Sequence, residues 1–95
     1  MSDEFSENVT LIKSPHEMGA WHFCRIPSIY KDLSEGHGSR GIVPIIARIG
    51  NTSWETSLLG VKKDNSFIVA IKADVRKSEV LKDGDKFTLF FKFRT

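Results

Sequence analysis

Lys86-Phe87-Thr88-Leu89-Phe90-Phe91-Lys92-Phe93-Arg94 is the stretch on which the fold turns. Successive side chains of an extended strand point to opposite sides. Phe87, Leu89, Phe91 and Phe93 therefore share one face, and Thr88, Phe90, Lys92 and Arg94 share the other. Only Phe90 breaks the alternation, which predicts that its face is partly covered. Immediately upstream, Asp83-Gly84-Asp85 has the composition of a tight turn feeding this strand.

Working back along the chain, further β-like runs are separated by Gly, Pro and Asp. Phe67 to Ala73 reads as a strand with Phe67, Val69 and Ile71 toward the core. Val43 to Ile49 and Thr52 to Leu59 flank Gly50-Asn51, a two-residue hairpin signal in which Gly supplies the positive φ. Trp54, Thr56 and Leu58 share a face of the second arm. Val61 to Ser66 is a polar loop. Phe5 to Ile12 and Ala20 to Ile26 form a weaker pair, joined through Ser14 to Gly19. Two short helical turns are expected. Ile29 and Leu33 lie one turn apart between a possible N-cap at Ser28 and a stop at Gly36. Asp74 is the expected cap of a second turn through Val75-Arg76-Lys77-Ser78.

The order is strand, strand, short helix, strand, and then the same again, over Phe5 to Ile49 and Thr52 to Arg94. Short strands in so small a chain cannot leave two long open edges without inviting aggregation. The expected architecture is mostly β, a small six-stranded closed or double-split barrel with two short helices.

Composition agrees with one domain over residues 1–95. The 95 residues are 40% hydrophobic and 27% charged, values of a globular chain. The formal charge of +2 is far from that of a strongly basic nucleic-acid binder. The start, Met1-Ser2-Asp3-Glu4, lacks the basic and apolar regions of a signal peptide. Cys24 is the single cysteine, so no internal disulfide can form. No apolar run reaches the ~20 residues of a membrane span. The expectation is a cytoplasmic protein with no membrane partner.

Five motifs occur in one register: Ala20-Trp21-His22-Phe23, Arg40-Gly41-Ile42-Val43-Pro44-Ile45, Ile49-Gly50 with Trp54-Glu55-Thr56-Ser57-Leu58, Ile71-Lys72-Ala73-Asp74-Val75-Arg76-Lys77, and Gly84-Asp85. Together they resemble the bacterial family catalogued as domain of unknown function 1905, over Trp21 to Phe93. The resemblance implies a small six-stranded barrel of the double-split type and no settled activity. Ala70 departs from a usual proline and Cys24 from a common valine. More distantly, Ile26 to Leu33 and Ile71 to Asp85 are similar to the arms of swapped-hairpin transition-state regulators, which are dimeric DNA binders. A single-chain version of such a dimer would account for the repeat, although fold alone does not fix function.

The residues with chemical potential are few. Arg40, Lys72, Arg76 and Lys77 form a basic set, with Arg offering a planar donor fork and Lys a mobile charge. Arg76 and Lys77 are expected to begin a helical turn, where N–H groups favour anions. Trp54 or Trp21 would offer a stacking surface and Ser57 a hydroxyl. The plainer reading is a solvated face paired with Asp74 and Glu79, with Trp54 a core or rim aromatic. His22 and Cys24 share a strand face and could begin a thiolate–imidazole or metal site. A buried, inert thiol is the simpler account, and His16 and His37 have no ligand-like spacing. The glycine-rich Gly36 to Gly41 lacks the Gly-Lys-Ser/Thr ending of a phosphate loop.

The expectation is thus a non-catalytic binding or interaction module, not an enzyme and without a cofactor. Its basic rim (Arg40, Trp54, Ser57, Lys72, Arg76, Lys77) would suit a small anionic ligand or a protein. A DNA-binding, regulator-like role is the alternative.

Overall fold

The computed structural model describes residues 4–13, 21–27, 42–61 and 66–94. Within them run β1 (Phe5–Thr10), β2 (Ile12–Lys13), β3 (His22–Ile26), β4 (Ile42–Ile49), β5 (Thr52–Val61), β6 (Ser66–Ala70), helix α1 (Ala73–Ser78) and β7 (Lys86–Phe93). The strands form one antiparallel sheet in the order β1-β7-β4-β5-β6-β3-β2. Because β1 and β2 are separated only by Leu11, the two ends of that order belong to one stretch of chain. The sheet therefore curls into a nearly closed barrel.

Among the described residues seven strands stand where six were expected, and the additional one has a local cause. The run Phe5 to Ile12 does not continue as one strand. β1 pairs with β7 along Phe5↔Phe91 to Thr10↔Lys86, whereas Ile12 and Lys13 pair with Phe23 and His22 of β3. At the break, Leu11 donates its N–H to the Asp85 carbonyl and accepts from the Gly84 N–H, both at 2.8 Å. Its side chain is fully buried. The backbone groups that leave both ladders are thus satisfied by the turn before β7, as buried peptide groups must be. That turn forms as expected, with Gly84 at φ 89° and the Lys82 N–H held by the Asp85 carboxylate at 2.8 Å.

The hairpin at Gly50-Asn51 joins β4 to β5 in continuous register from Ile42↔Leu59 to Ile49↔Thr52. Gly50 has φ 56°, and a methyl group there would run into the Glu79 carboxylate. The interior is lined by alternate residues of each strand, among them Cys24, Ile26, Ile45, Leu58, Val69, Leu89 and Phe91. Phe5, Phe91 and Phe93 pack with ring centroids 5.6–6.2 Å apart. On the outer face, Phe90 is half-buried because the Arg48 guanidinium lies 4.0 Å from its ring centroid. This is the cover that the broken alternation called for.

One short helix is present among the described residues, and the turn expected around Ile29 and Leu33 lies outside them. α1 begins two residues earlier than the Asp74 cap predicted. Extended Lys72 occupies the N-cap position without a side-chain bond, and its carbonyl accepts the N–H groups of Val75 and Arg76 at 3.1 Å. Asp74 sits inside the first turn, where a negative charge suits the helix dipole. Val75 plugs the end of the barrel with 1% of its surface exposed.

The helix ends in a Schellman arrangement. Val80 donates to the Lys77 carbonyl (3.3 Å) and Leu81 to the Arg76 carbonyl (2.8 Å). The residue in the left-handed position, usually glycine, is Val80 at φ 55°, with 75% of its surface exposed.

The two halves match in their pairing. Taking β1 and β2 together as the counterpart of β5, and exchanging β3 with β6 and β4 with β7, turns the β1·β7 ladder into β5·β4 and the β2·β3 ladder into β5·β6. The β4·β7 and β3·β6 ladders map onto themselves. The repeat read from the sequence is an internal two-fold of the strand pairing.

Candidate functional site

The expected site does not assemble as a single cluster. Arg40 lies outside the described residues. Trp54 turns inward opposite Ala47 with 9% of its surface exposed, so its ring is part of the core and offers no stacking face. Ser57 is on the outer face of β5 opposite Pro44. It stands about 17 Å along that strand from Thr52 at ~3.4 Å per residue. Lys72 caps α1 and Arg76 and Lys77 lie on it, so these three stay close in the chain. Arg76 and Lys77 occupy its last turn and not its first. The dipole there favours the cations themselves, not an anion.

The plainer pairing of these cations with Glu79 also fails. The Glu79 carboxylate turns to the β4–β5 hairpin and accepts the Thr52 hydroxyl at 2.6 Å. Among the described residues, Lys72, Arg76 and Lys77 make no ion pair. The outer-face arginines behave differently, since Arg48 pairs with Glu4 at 3.3 Å and Arg94 with Glu55 at 3.6 Å.

What the barrel end does gather is Arg76, His22 and Lys13, from α1, β3 and β2. Ile71 is the hub. Its N–H donates to the His22 carbonyl at 2.9 Å, and its own carbonyl accepts Arg76 Nε at 3.1 Å. Lys13 pairs with His22 in the β2–β3 ladder, and its N–H donates to Asp83 Oδ1 at 3.1 Å. The backbone thus brings these elements together, and among the described residues the half-buried imidazole feels the charges of Arg76, Lys13 and Asp83. His22 Nδ1 is shielded from solvent and makes no hydrogen bond. Burial foremost, with the charges of Arg76 and Lys13, lowers the imidazole below its ordinary proton affinity, while Asp83 pulls the other way.

A family model described as a domain of unknown function (DUF1905) matches residues 8–89, nearly the whole chain and all of this cluster. The chain belongs to the DUF1905 family. No curated protein and no solved structure matches it. The DUF1905 description assigns no activity, so the chemistry has to be argued from the residues.

In this DUF1905 barrel, Cys24 cannot partner His22 as a nucleophile. The thiol is fully buried, and burial pushes it up to about 12. A thiolate would be needed for attack or for metal ligation. Lys13 and His22 were not among the residues expected to hold a ligand. The signal for Lys13 was absent, since its place beside Arg76 depends on the β2–β3 pairing. His22 carried only its shared strand face with Cys24, which did not point to Arg76. Among the described residues, no helix is long and apolar enough to cross a membrane.

Proposed function

We propose that this domain is a non-catalytic binding module whose basic rim, at the α1 end of the barrel, takes a small anionic ligand. The observation that supports it is the Ile71 hub, which ties Arg76 to the chain beside His22 and Lys13, with no acidic side chain among the described residues paired to the guanidinium. Arg76 Nε is committed to the Ile71 carbonyl, which orients the fork and leaves its two Nη groups as donors. Lys72 at the N-cap and Lys77 on the helix, both exposed, add mobile positive charge. Charge-assisted hydrogen bonds from such a set suit phosphate or carboxylate. Catalysis is disfavoured on this reading because the one thiol is sealed in the core and protonated. A thermal-shift panel of phosphates, nucleotides and carboxylates tests the proposal. The expected result is a rise in melting temperature that Arg76→Gln removes. No rise at millimolar ligand would end the reading.

The internal two-fold of the strand pairing favours a second reading, in which the two halves act as the arms of a single-chain DNA-binding regulator. Such binding would require several phosphate contacts and a steep salt dependence. A low-salt duplex-binding assay with no detectable complex would remove it.

A further inference from the structure

We propose that anion capture at this rim is coupled to protonation of His22, so that the domain holds its ligand more tightly in mildly acidic than in neutral solution. The inference rests on the anion-binding reading above and adds a regulation to it.

The geometry carries the argument. His22 stands at the start of β3, where three neighbouring elements present charge to it: Lys13 from β2, Arg76 from α1 and Asp83 from the turn before β7. β6 contributes no charged side chain, only the chain leading to Ile71. Two of the three neighbours are cations, and neither is free to swing away at its root. The Arg76 side chain is tied through Nε to Ile71, and the Lys13 backbone is tied to Asp83. The imidazole is also partly withdrawn from water, with Nδ1 shielded and unpartnered. Among the described residues, a proton on that ring therefore meets the positive charge of Arg76 and Lys13 and the carboxylate of Asp83.

An anion bound between Arg76 and Lys13 changes the balance. Its charge offsets both cations, so the imidazole can accept a proton with less repulsion and then adds a third positive group to the site. Linkage makes the effect reciprocal: if the anion favours proton uptake, the proton favours the anion by the same factor. A one-unit rise in the proton affinity of His22 on binding corresponds to about a tenfold gain in anion affinity once the pH is below both values. Asp83 limits the gain, because its charge already supports the protonated ring.

The test uses inorganic sulfate, which does not itself titrate in this range. Its affinity is measured by amide chemical shifts of the whole domain at constant ionic strength, near pH ~5.5 and ~7.5, the window in which histidine titrates. Alongside, the His22 ring titration is followed with and without sulfate. The expected result is binding about five- to tenfold tighter at the lower pH, with sulfate raising the His22 midpoint. His22→Gln should bind sulfate with one affinity at both pH values. Sulfate binding that is equally strong at both pH values, or an unchanged His22 midpoint in the wild type, would overturn the coupling and leave the anion site standing. No sulfate-induced shift at either pH would overturn both. The ring titration needs no variant, so it decides the matter even if His22→Gln does not fold.

Discussion

Replacing Val80 by glycine should make this protein more stable. Val80 sits at φ 55°, where the branched Cβ of an L residue crowds the backbone. Non-glycine residues in this region carry strain on the order of 1–3 kcal/mol, and a β-branched one belongs in the middle of that range or above. Two terms oppose the gain. With 75% of its surface exposed, Val80 has only about a quarter of its side chain to lose from packing, roughly 0.4 kcal/mol. Glycine also loosens the unfolded chain, at about 0.5–1 kcal/mol. The net expectation is a stabilisation of about 1 kcal/mol, or ~4–8 °C in melting temperature for a domain of this size. Urea denaturation of the wild type, Val80→Gly and Val80→Asn measures it, with Asn expected between the other two. A Val80→Gly protein that keeps its circular dichroism but unfolds at the same or lower urea concentration would refute the strain argument.

Gly50→Ala should have the opposite effect, a loss of about 2–3 kcal/mol. It places a side chain at positive φ and displaces the Glu79 carboxylate from Thr52. Urea melts should show that Glu79→Ala in the same chain recovers part of the loss, and no recovery would mean that the carboxylate is not the obstacle. His22 predicts an acid limb in the stability profile. Its folded proton affinity is lowered, so the unfolded chain takes up the proton first. The contribution is complete above about pH 6.5 and is lost as pH falls through the folded value. The decline should flatten in His22→Gln, followed by urea melts across that range. Cys24 predicts an alkaline limb, because its folded value of about 12 exceeds the ordinary 9.0. Stability should fall above pH 9 by up to about 1.4 kcal/mol per unit. A thiol reagent should modify Cys24 only under unfolding conditions, and rapid labelling of the native protein would contradict its burial.

The parts of the fold visible in the sequence are those set by neighbours along the chain. β7 shows its alternation openly, the β4–β5 hairpin is marked by Gly50-Asn51, and the turn before β7 by Asp83-Gly84-Asp85. The break at Leu11 has no such mark. No glycine or proline stands there, and the partners that make it possible, Gly84 and Asp85, lie at the other end of the chain. Trp54 was misassigned to the ligand although its spacing from Leu58 already placed it on the apolar face. A hydroxyl neighbour suggested chemistry where the period-two pattern indicated core. The candidate site was half legible for the same reason. Lys72, Arg76 and Lys77 are adjacent in sequence, whereas Lys13 and His22 reach Arg76 only through β2–β3 pairing and the Ile71 hydrogen bonds.

The split first strand also has a bearing on how the protein is made. Asn8 on β1 bonds across to Thr88 on β7, a separation of 80 positions. A ribosome delivers the first of these long before the second, so this stave must wait, ungreeted by its neighbour, until β7 has been made. Closing the barrel through this long-range pairing is then a slow event, and the unpaired edge of β1 has a stretch of time in which a chaperone would be useful company.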